Sequence, residues 1–125
     1  MVRLNNSFCI KLNLSTMGSL KMKFYLVLVT VPNARIGEKL SKGLVKAKLA
    51  ACVNRIPGLK SRYWWKGKIE TSSEELLLIK TTKSKLSRLT QWVQANHPYT
   101  VCEVIAFPIA AGNKTYLDWI NHSLS

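Results

Sequence analysis

Ala50-Ala51-Cys52-Val53-Asn54-Arg55-Ile56-Pro57, resumed by Ser61-Arg62-Tyr63-Trp64-Trp65-Lys66-Gly67-Lys68-Ile69-Glu70, is where a helical pattern gives way to an extended one. Strand alternation places Cys52, Asn54 and Ile56 on one face and Ala51, Val53 and Arg55 on the other. Pro57-Gly58 then predicts a bend or bulge. Lys66-Gly67-Lys68 predicts a hairpin turn, and the segment from Ile69 to Thr82 returns as a long strand with Leu76-Leu77-Leu78-Ile79 at its buried centre. Two long antiparallel strands joined at Gly67 make an arm longer than a small domain needs, and such an arm is expected to pair with another subunit.

Upstream, Phe24-Tyr25-Leu26-Val27-Leu28-Val29-Thr30-Val31 is an unbroken apolar, β-branched run, which predicts a central strand buried on both faces. Pro32 stops it and Asn33 is a suitable helix N-cap. Ile36, Leu40, Leu44, Ala47 and Ala51 recur at helical spacing, with Arg35, Lys39, Lys42, Lys46 and Lys48 on the wet side, which predicts an amphipathic helix over 34–49. Gly43 would let that helix sit close to a sheet. Downstream, Ser84 is read as the cap of a second helix with Leu86, Leu89 and Val93 inward and Trp92 flanking, ended by Asn96-His97-Pro98. Val101 to Ile109 reads as a strand. Asn113 is read as the cap of a last helix with Tyr116, Leu117, Ile120 and Leu124 on its apolar side. The order βαββαβ plus a C-terminal helix predicts an α+β, ferredoxin-like split βαβ domain, with helices on one face of an antiparallel sheet. Its other face would be left uncovered, and oligomerisation would cover it.

The chain has 125 residues, the length of one domain. Nineteen Lys and Arg against six Asp and Glu give a net charge of +13, which favours anionic partners. No run of consecutive cations stands out as an arm. Cys9, Cys52 and Cys102 are an odd number without CxxC spacing, so a disulfide framework is not expected and a reducing compartment is. No apolar run reaches the about 20 residues of a membrane span. Residues 1–23 carry Arg3, Lys11, Lys21 and Lys23 and no acid. They read as a disordered basic tail or a mitochondrial targeting segment ahead of a domain over 24–125. The cytoplasm is the first expectation for location and the mitochondrion the second. With only His97 and His122 as histidines, no phosphate loop and no nucleophile elbow, an enzyme is not expected.

A further set of stretches occurs in order: Val29-Thr30-Val31-Pro32-Asn33, Lys48-Leu49-Ala50-Ala51-Cys52-Val53-Asn54, Tyr63-x-Trp65-x-Gly67-Lys68-Ile69-Glu70, Ile79-Lys80-Thr81, His97-Pro98-Tyr99 with Glu103, and Tyr116-Leu117-x-Trp119. Over residues 24–125 the chain thereby resembles the CutA family of divalent-cation-tolerance proteins. The resemblance implies a ferredoxin-like homotrimer whose long hairpins pair across subunits, a role in divalent metal (copper) binding and tolerance, and no established catalytic reaction. In copper-binding members a cysteine near the end of the first strand, a histidine before Pro-Tyr and a downstream glutamate are implicated. Here the last two are His97 and Glu103, while the cysteine position is occupied by Val29. An imidazole and a carboxylate without thiolate suit Cu2+ or another divalent cation better than Cu(I).

Other readings of the same residues compete with these. His97 at a helix end explains itself by holding the last carbonyls. Glu103, inside an apolar strand, requires a cation or hydrogen-bond donors, and Lys80 is the candidate partner. Tyr99 and Lys80 are expected to line the ligand pocket. Tyr63, Trp64 and Trp65 are expected to pack between subunits rather than stack on bases. Cys52 is expected to be a packed core thiol, and Cys102 to point away from Glu103. Two alternatives stand beside metal binding. One is a trimeric adaptor docking acidic proteins, of the acetylcholinesterase-anchoring type that the resemblance implies for animal members. The other, ranked third, is nucleic-acid binding through the basic surface.

Overall fold

The computed structural model describes residues 22–125. The expectation for residues 1–23 therefore lies, up to residue 21, outside the described residues. Lys23 is already tied to the domain, its carbonyl accepting from the Lys83 N–H at 2.8 Å.

Strand β1 (Phe24–Val31) leads through Pro32 and Asn33 into helix α1 (Ala34–Lys46). Asn33 caps as its sequence implies: its backbone is extended and its Oδ1 accepts from the Ile36 N–H at 3.0 Å. Strands β2 (Cys52–Trp65) and β3 (Lys68–Thr82) form the long hairpin. A 3-10 turn (Lys83–Lys85), helix α2 (Leu86–Asn96), strand β4 (Ile105–Pro108) and helix α3 (Lys114–Leu124) complete the order. The sheet runs β2-β3-β1-β4 with every neighbouring pair antiparallel. β3 lies between β1 and β2, which is the split βαβ arrangement.

The hairpin turn is Lys66-Gly67, both at positive φ (51° and 78°). That matches the two-residue turn whose twist suits flanking strands. The register breaks between Ile56 and Leu59, where Gly58 sits at φ 80°, so Pro57-Gly58 is a bulge.

Val27, Val29 and Val31 on β1, with Leu77 and Ile79 on β3, pack with Ile36, Leu40 and Leu44 of α1 and Leu89 and Val93 of α2 in the core. The alternate residues of β1 are only half-buried, so the expectation of burial on both faces is corrected. α1 and α2 cover one face alone. The second face is not bare, however. Register puts Cys52 opposite Lys80 and Lys80 opposite Leu26, on the side away from Val27. There α3 comes down, its Ser123 carbonyl accepting from Lys48 Nζ at 3.1 Å and its Ile120 and Leu124 buried apart from the main core. Cys52 is accordingly a half-exposed thiol beside polar groups, not a core one.

Other local expectations shift for identifiable reasons. α1 stops at Lys46 rather than 49, because Lys48 turns to φ 60° and the Leu49 and Ala50 N–H groups close back on the Leu44 carbonyl. Ala47 is left exposed. Ser84 does not cap α2: it lies within the 3-10 turn and meets the Thr82 hydroxyl at 3.2 Å. Gly43 does admit a close neighbour, but that neighbour is Trp92 of α2 rather than the sheet. β4 is shorter than Val101–Ile109 because its ladder with β1 ends at Leu28 opposite Ile105. Residues 101–104 lie outside the ladder, with Cys102 and Val104 packed on the core and Val101 and Glu103 exposed.

Candidate functional site: a carboxylate pair under the hairpin aromatics

β3 carries Glu74-Glu75, and alternation sends the two side chains to opposite faces. Glu75 enters the helix-covered side, 4% exposed, where Arg55 Nε meets its Oε1 at 2.6 Å. The same guanidinium reaches Glu38 at 2.7 Å and the Ala34 carbonyl at 3.1 Å. It ties β2, β3 and the start of α1 together. Gly37 makes the room, since a side chain there would overlap the Glu75 carboxylate. This is framework.

Glu74 faces the other way, into a cavity of about 620 Å³. Tyr63, Trp64 and Trp65 of the hairpin wall one side, and Tyr99, Val101 and Glu103, from the segment after α2, wall the other. The Tyr99 hydroxyl donates to Glu74 Oε2 at 2.8 Å. Burial first, and that hydrogen bond second, push the Tyr99 hydroxyl well above the ordinary phenol range, so it stays a donor. Glu103 is exposed overall, yet partial desolvation at the cavity wall raises its carboxyl, with the negative charge of Glu74 adding to the effect. Among the described residues neither Glu74 nor Glu103 makes an ion pair, although Arg62 contributes to the cavity wall.

His97 stands behind this cavity rather than in it. It is 7% exposed at the end of α2. The Tyr99 N–H donates to its Nδ1 at 3.1 Å, so the ring proton lies on Nε2, which donates to the Thr30 carbonyl at 2.8 Å. The ring also packs on Tyr99 with centroids 4.7 Å apart. His97 therefore pins the end of α2 to β1 and aims Tyr99 at Glu74. It holds a strand carbonyl rather than the last carbonyls of its own helix.

Of the residues singled out from sequence, Glu103, Tyr99, Tyr63, Trp64 and Trp65 come together. Lys80 does not join them. Its ammonium lies on Asn54 Oδ1 and 3.9 Å from Cys52 Sγ, at the α3 end of the sheet. It cannot neutralise Glu103 from there, which corrects its assignment to the pocket. Glu74 escaped the sequence reading. Its signal was the acid pair inside an apolar strand, where one carboxylate must face each side.

The donors gathered at the cavity are two carboxylates and a phenol. Hard oxygens of this kind suit cations of the Mg2+, Ca2+ and Mn2+ type. The imidazole does not fit as a ligand without surrendering a backbone partner. Among the described residues no group of three or more His, Cys, Asp or Glu is placed to hold a metal, and no helix is long and apolar enough to cross a membrane.

Comparison with known proteins gives a consistent result. Residues 25–123 match the family model described as CutA1 divalent ion tolerance protein. The chain is 55% identical over 97 residues to the chloroplastic protein CutA 1 of rice, covering 78% of this chain and 55% of that one. It is 48% identical over 97 residues to the divalent-cation tolerance protein CutA of Thermus thermophilus, covering 78% of this chain and 94% of that one. The chain spans about half the length of the rice protein and of the chloroplastic protein CutA of Arabidopsis thaliana. The crystal structure of CutA1 from rice superposes with a TM-score of 0.81 at 51% identity, over 82% of this chain and 94% of that one. Sequence and fold agree along the same span, and the chain belongs to the CutA1 divalent ion tolerance family.

Proposed function

We propose that the chain is a non-enzymatic, homotrimeric protein that binds a divalent cation through Glu74 and Glu103. The observation that carries this reading is the carboxylate pair itself: two acids share one cavity, one of them raised by partial desolvation and by the other's charge, with no ion pair to either among the described residues. A divalent cation would relieve that repulsion, and the general affinity order favours Cu2+ over Mn2+ even at oxygen donors. Trimer formation is supported by apolar surface on the sheet face and the hairpin: Phe107 is 49% exposed, Ile69 59% and Trp64 73%. A neighbouring subunit's arm would cover these and close the cavity. Both histidines are engaged by backbone groups, His97 with Thr30 and Tyr99 and His122 with Asp118, which favours binding over catalysis. The first 23 residues are acid-free, which keeps an organelle address in competition with the cytoplasm. Both plant relatives are named chloroplastic.

Calorimetric titration of the purified protein with Mn2+ and Cu2+ tests the site. Glu74→Gln and Glu103→Gln are each expected to weaken binding at least tenfold while the oligomer persists. Unchanged binding in both variants sinks the assignment. If the copper electron-spin spectrum shows nitrogen coupling that vanishes in His97→Gln, the imidazole is a ligand after all and the cation lies deeper than the carboxylates.

A further inference from the structure

The surplus charge of this chain is ordered in space. On α1, Arg35, Lys39, Lys42 and Lys46 are all exposed. Their spacing of four, three and four residues gathers them within an arc of about 60° along about 16 Å of helix axis. Buried Ile36, Leu40 and Leu44 occupy the other side of the helix, so the stripe points away from the sheet. Exposed Lys83 and Arg88 add to the same helical layer from the 3-10 turn and α2.

The acids lie elsewhere. Glu74 and Glu103 face the cavity, Glu75 is buried, Glu70 is on the hairpin and Asp118 is on α3. Glu38, the one acid on α1, is committed to Arg55. None of the four stripe cations makes an ion pair among the described residues, and α2 contains no acid. Local helix physics opposes this layout. Like charges three and four residues apart repel, and Arg35 sits in a first turn that has no acid, at the positive end of the helix dipole; only Lys46, in the last turn, suits the dipole. Arg35, Lys39 and Lys42 break a local rule with no gain inside the fold, and such a feature points outward, to a partner.

We propose that this face of α1 binds the phosphate backbone of a nucleic-acid duplex without reading its sequence. Phosphates require only point charges at regular spacing. A protein partner would require a buried anchor, and lysine is depleted at protein interfaces; the one large apolar residue exposed on α1 is Val45. A membrane surface would favour inserted Trp, Phe or Leu, and Trp92 is turned onto Gly43 instead. The inference is independent of the cation reading and uses the opposite side of the domain.

The test is fluorescence anisotropy of the full chain with a labelled mixed-sequence DNA duplex over a salt series. Two matched triple variants are compared, K39Q/K42Q/K46Q in the stripe and K66Q/K68Q/K114Q outside it. Four phosphate contacts predict that wild-type affinity falls about 150-fold between about 50 and about 200 mM salt, against only about fourfold for the stripe variant. The second triple is expected to keep the wild-type slope. Equal losses in both triples would mean diffuse net charge and overturn the proposal. So would stripe-dependent binding to phosphatidylserine vesicles or polyglutamate with none to the duplex. The stripe variant is expected to melt no lower than wild type, because it relieves repulsion; a lower melting temperature would make the stripe structural and remove the argument.

Discussion

At Gly43 the two helices that cover the core touch. A Cβ built there would stand 2.5 Å from both Cζ2 and Cη2 of Trp92, while the backbone is ordinary helix. Gly43→Ala therefore sets two effects of known sign against each other. Helix propensity favours alanine by about 1 kcal/mol. Overpacking costs about 1–3 kcal/mol, and the upper part of that range applies, because the overlap is with two atoms of a rigid ring held between α1 and α2 rather than with the end of a flexible chain. The net expectation is a loss of about 1–2 kcal/mol, read as a guanidinium midpoint lower by a few tenths of a molar. The decisive arm is the same substitution in a Trp92→Leu background. There the ring is gone, the propensity gain stands alone, and Gly43→Ala should stabilise by about 1 kcal/mol. The coupling between the two sites, about 2–3 kcal/mol, is large for a pair in contact. If Gly43→Ala is destabilising by the same amount in both backgrounds, the close approach to Trp92 is not what the glycine serves.

Cation affinity should fall on acidification earlier than for ordinary carboxylates, since Glu103 is raised by partial desolvation and by Glu74; Glu74→Gln should move the onset of Glu103 protonation to lower pH, measured by carboxyl NMR titration. For stability the sign is opposite to that of a salt-bridged acid. The folded state holds the Glu103 proton more tightly than the unfolded chain, so this residue's contribution falls as pH rises from the ordinary glutamate value to the raised one. His97→Phe removes two hydrogen bonds at a nearly buried site and should cost about 2–3 kcal/mol in chemical unfolding; a loss below about 0.5 kcal/mol would contradict its role as the clamp between α2 and β1. Phe107→Lys should shift the oligomer toward monomer in light scattering if the open sheet face is the subunit contact, and an unchanged mass would place that contact elsewhere.

Much of this fold was legible because its signals are local. The β-branched run before Pro32, the Asn33 cap and the glycine turn at 67 each act within a few residues, and the structure has the strand (buried on one face rather than two), the cap and the turn. What was not legible depends on partners distant in sequence. Nothing local ends α1 at Lys46, because the residue that turns left-handed is a lysine rather than glycine or asparagine. The apolar run from 101 to 109 cannot reveal that β1 supplies ladder partners only from Tyr25 to Leu28. Lys80 and Glu103 both sit in segments read as strand, and only the register shows that Lys80 lies beside Asn54 at the far end of the sheet. The separation of Glu74 from Glu75 into cavity and framework likewise waits on knowing which side the helices cover.

The hairpin shows how one extra residue was accommodated without disturbing the site. Pairing Trp65 with Lys68 across a two-residue turn carries back as Tyr63 with Glu70, Ser61 with Ser72 and Leu59 with Glu74. Closer to the core, Ile56 pairs with Leu76, so Pro57 and Gly58 share the single place opposite Glu75. A ladder without the bulge would need a longer turn. It would bring Lys60 and Arg62 to the Glu74 side in place of Ser61 and Tyr63, putting cations on the carboxylate. In the observed register Tyr63 instead meets Ser72 hydroxyl to hydroxyl at 2.7 Å, and Lys60 is held on the reverse face by Ser73. The turn, with both residues at positive φ, thus sets the face of the distal arm, and the bulge absorbs the mismatch. Deleting Gly58 should then straighten the arm yet leave every pair from Leu59–Glu74 to Trp65–Lys68 intact, and cation affinity should stay within a few-fold of wild type. If the deletion instead abolishes binding while the helical core stays folded by circular dichroism, the bend itself shapes the cavity and the turn-set register is not enough.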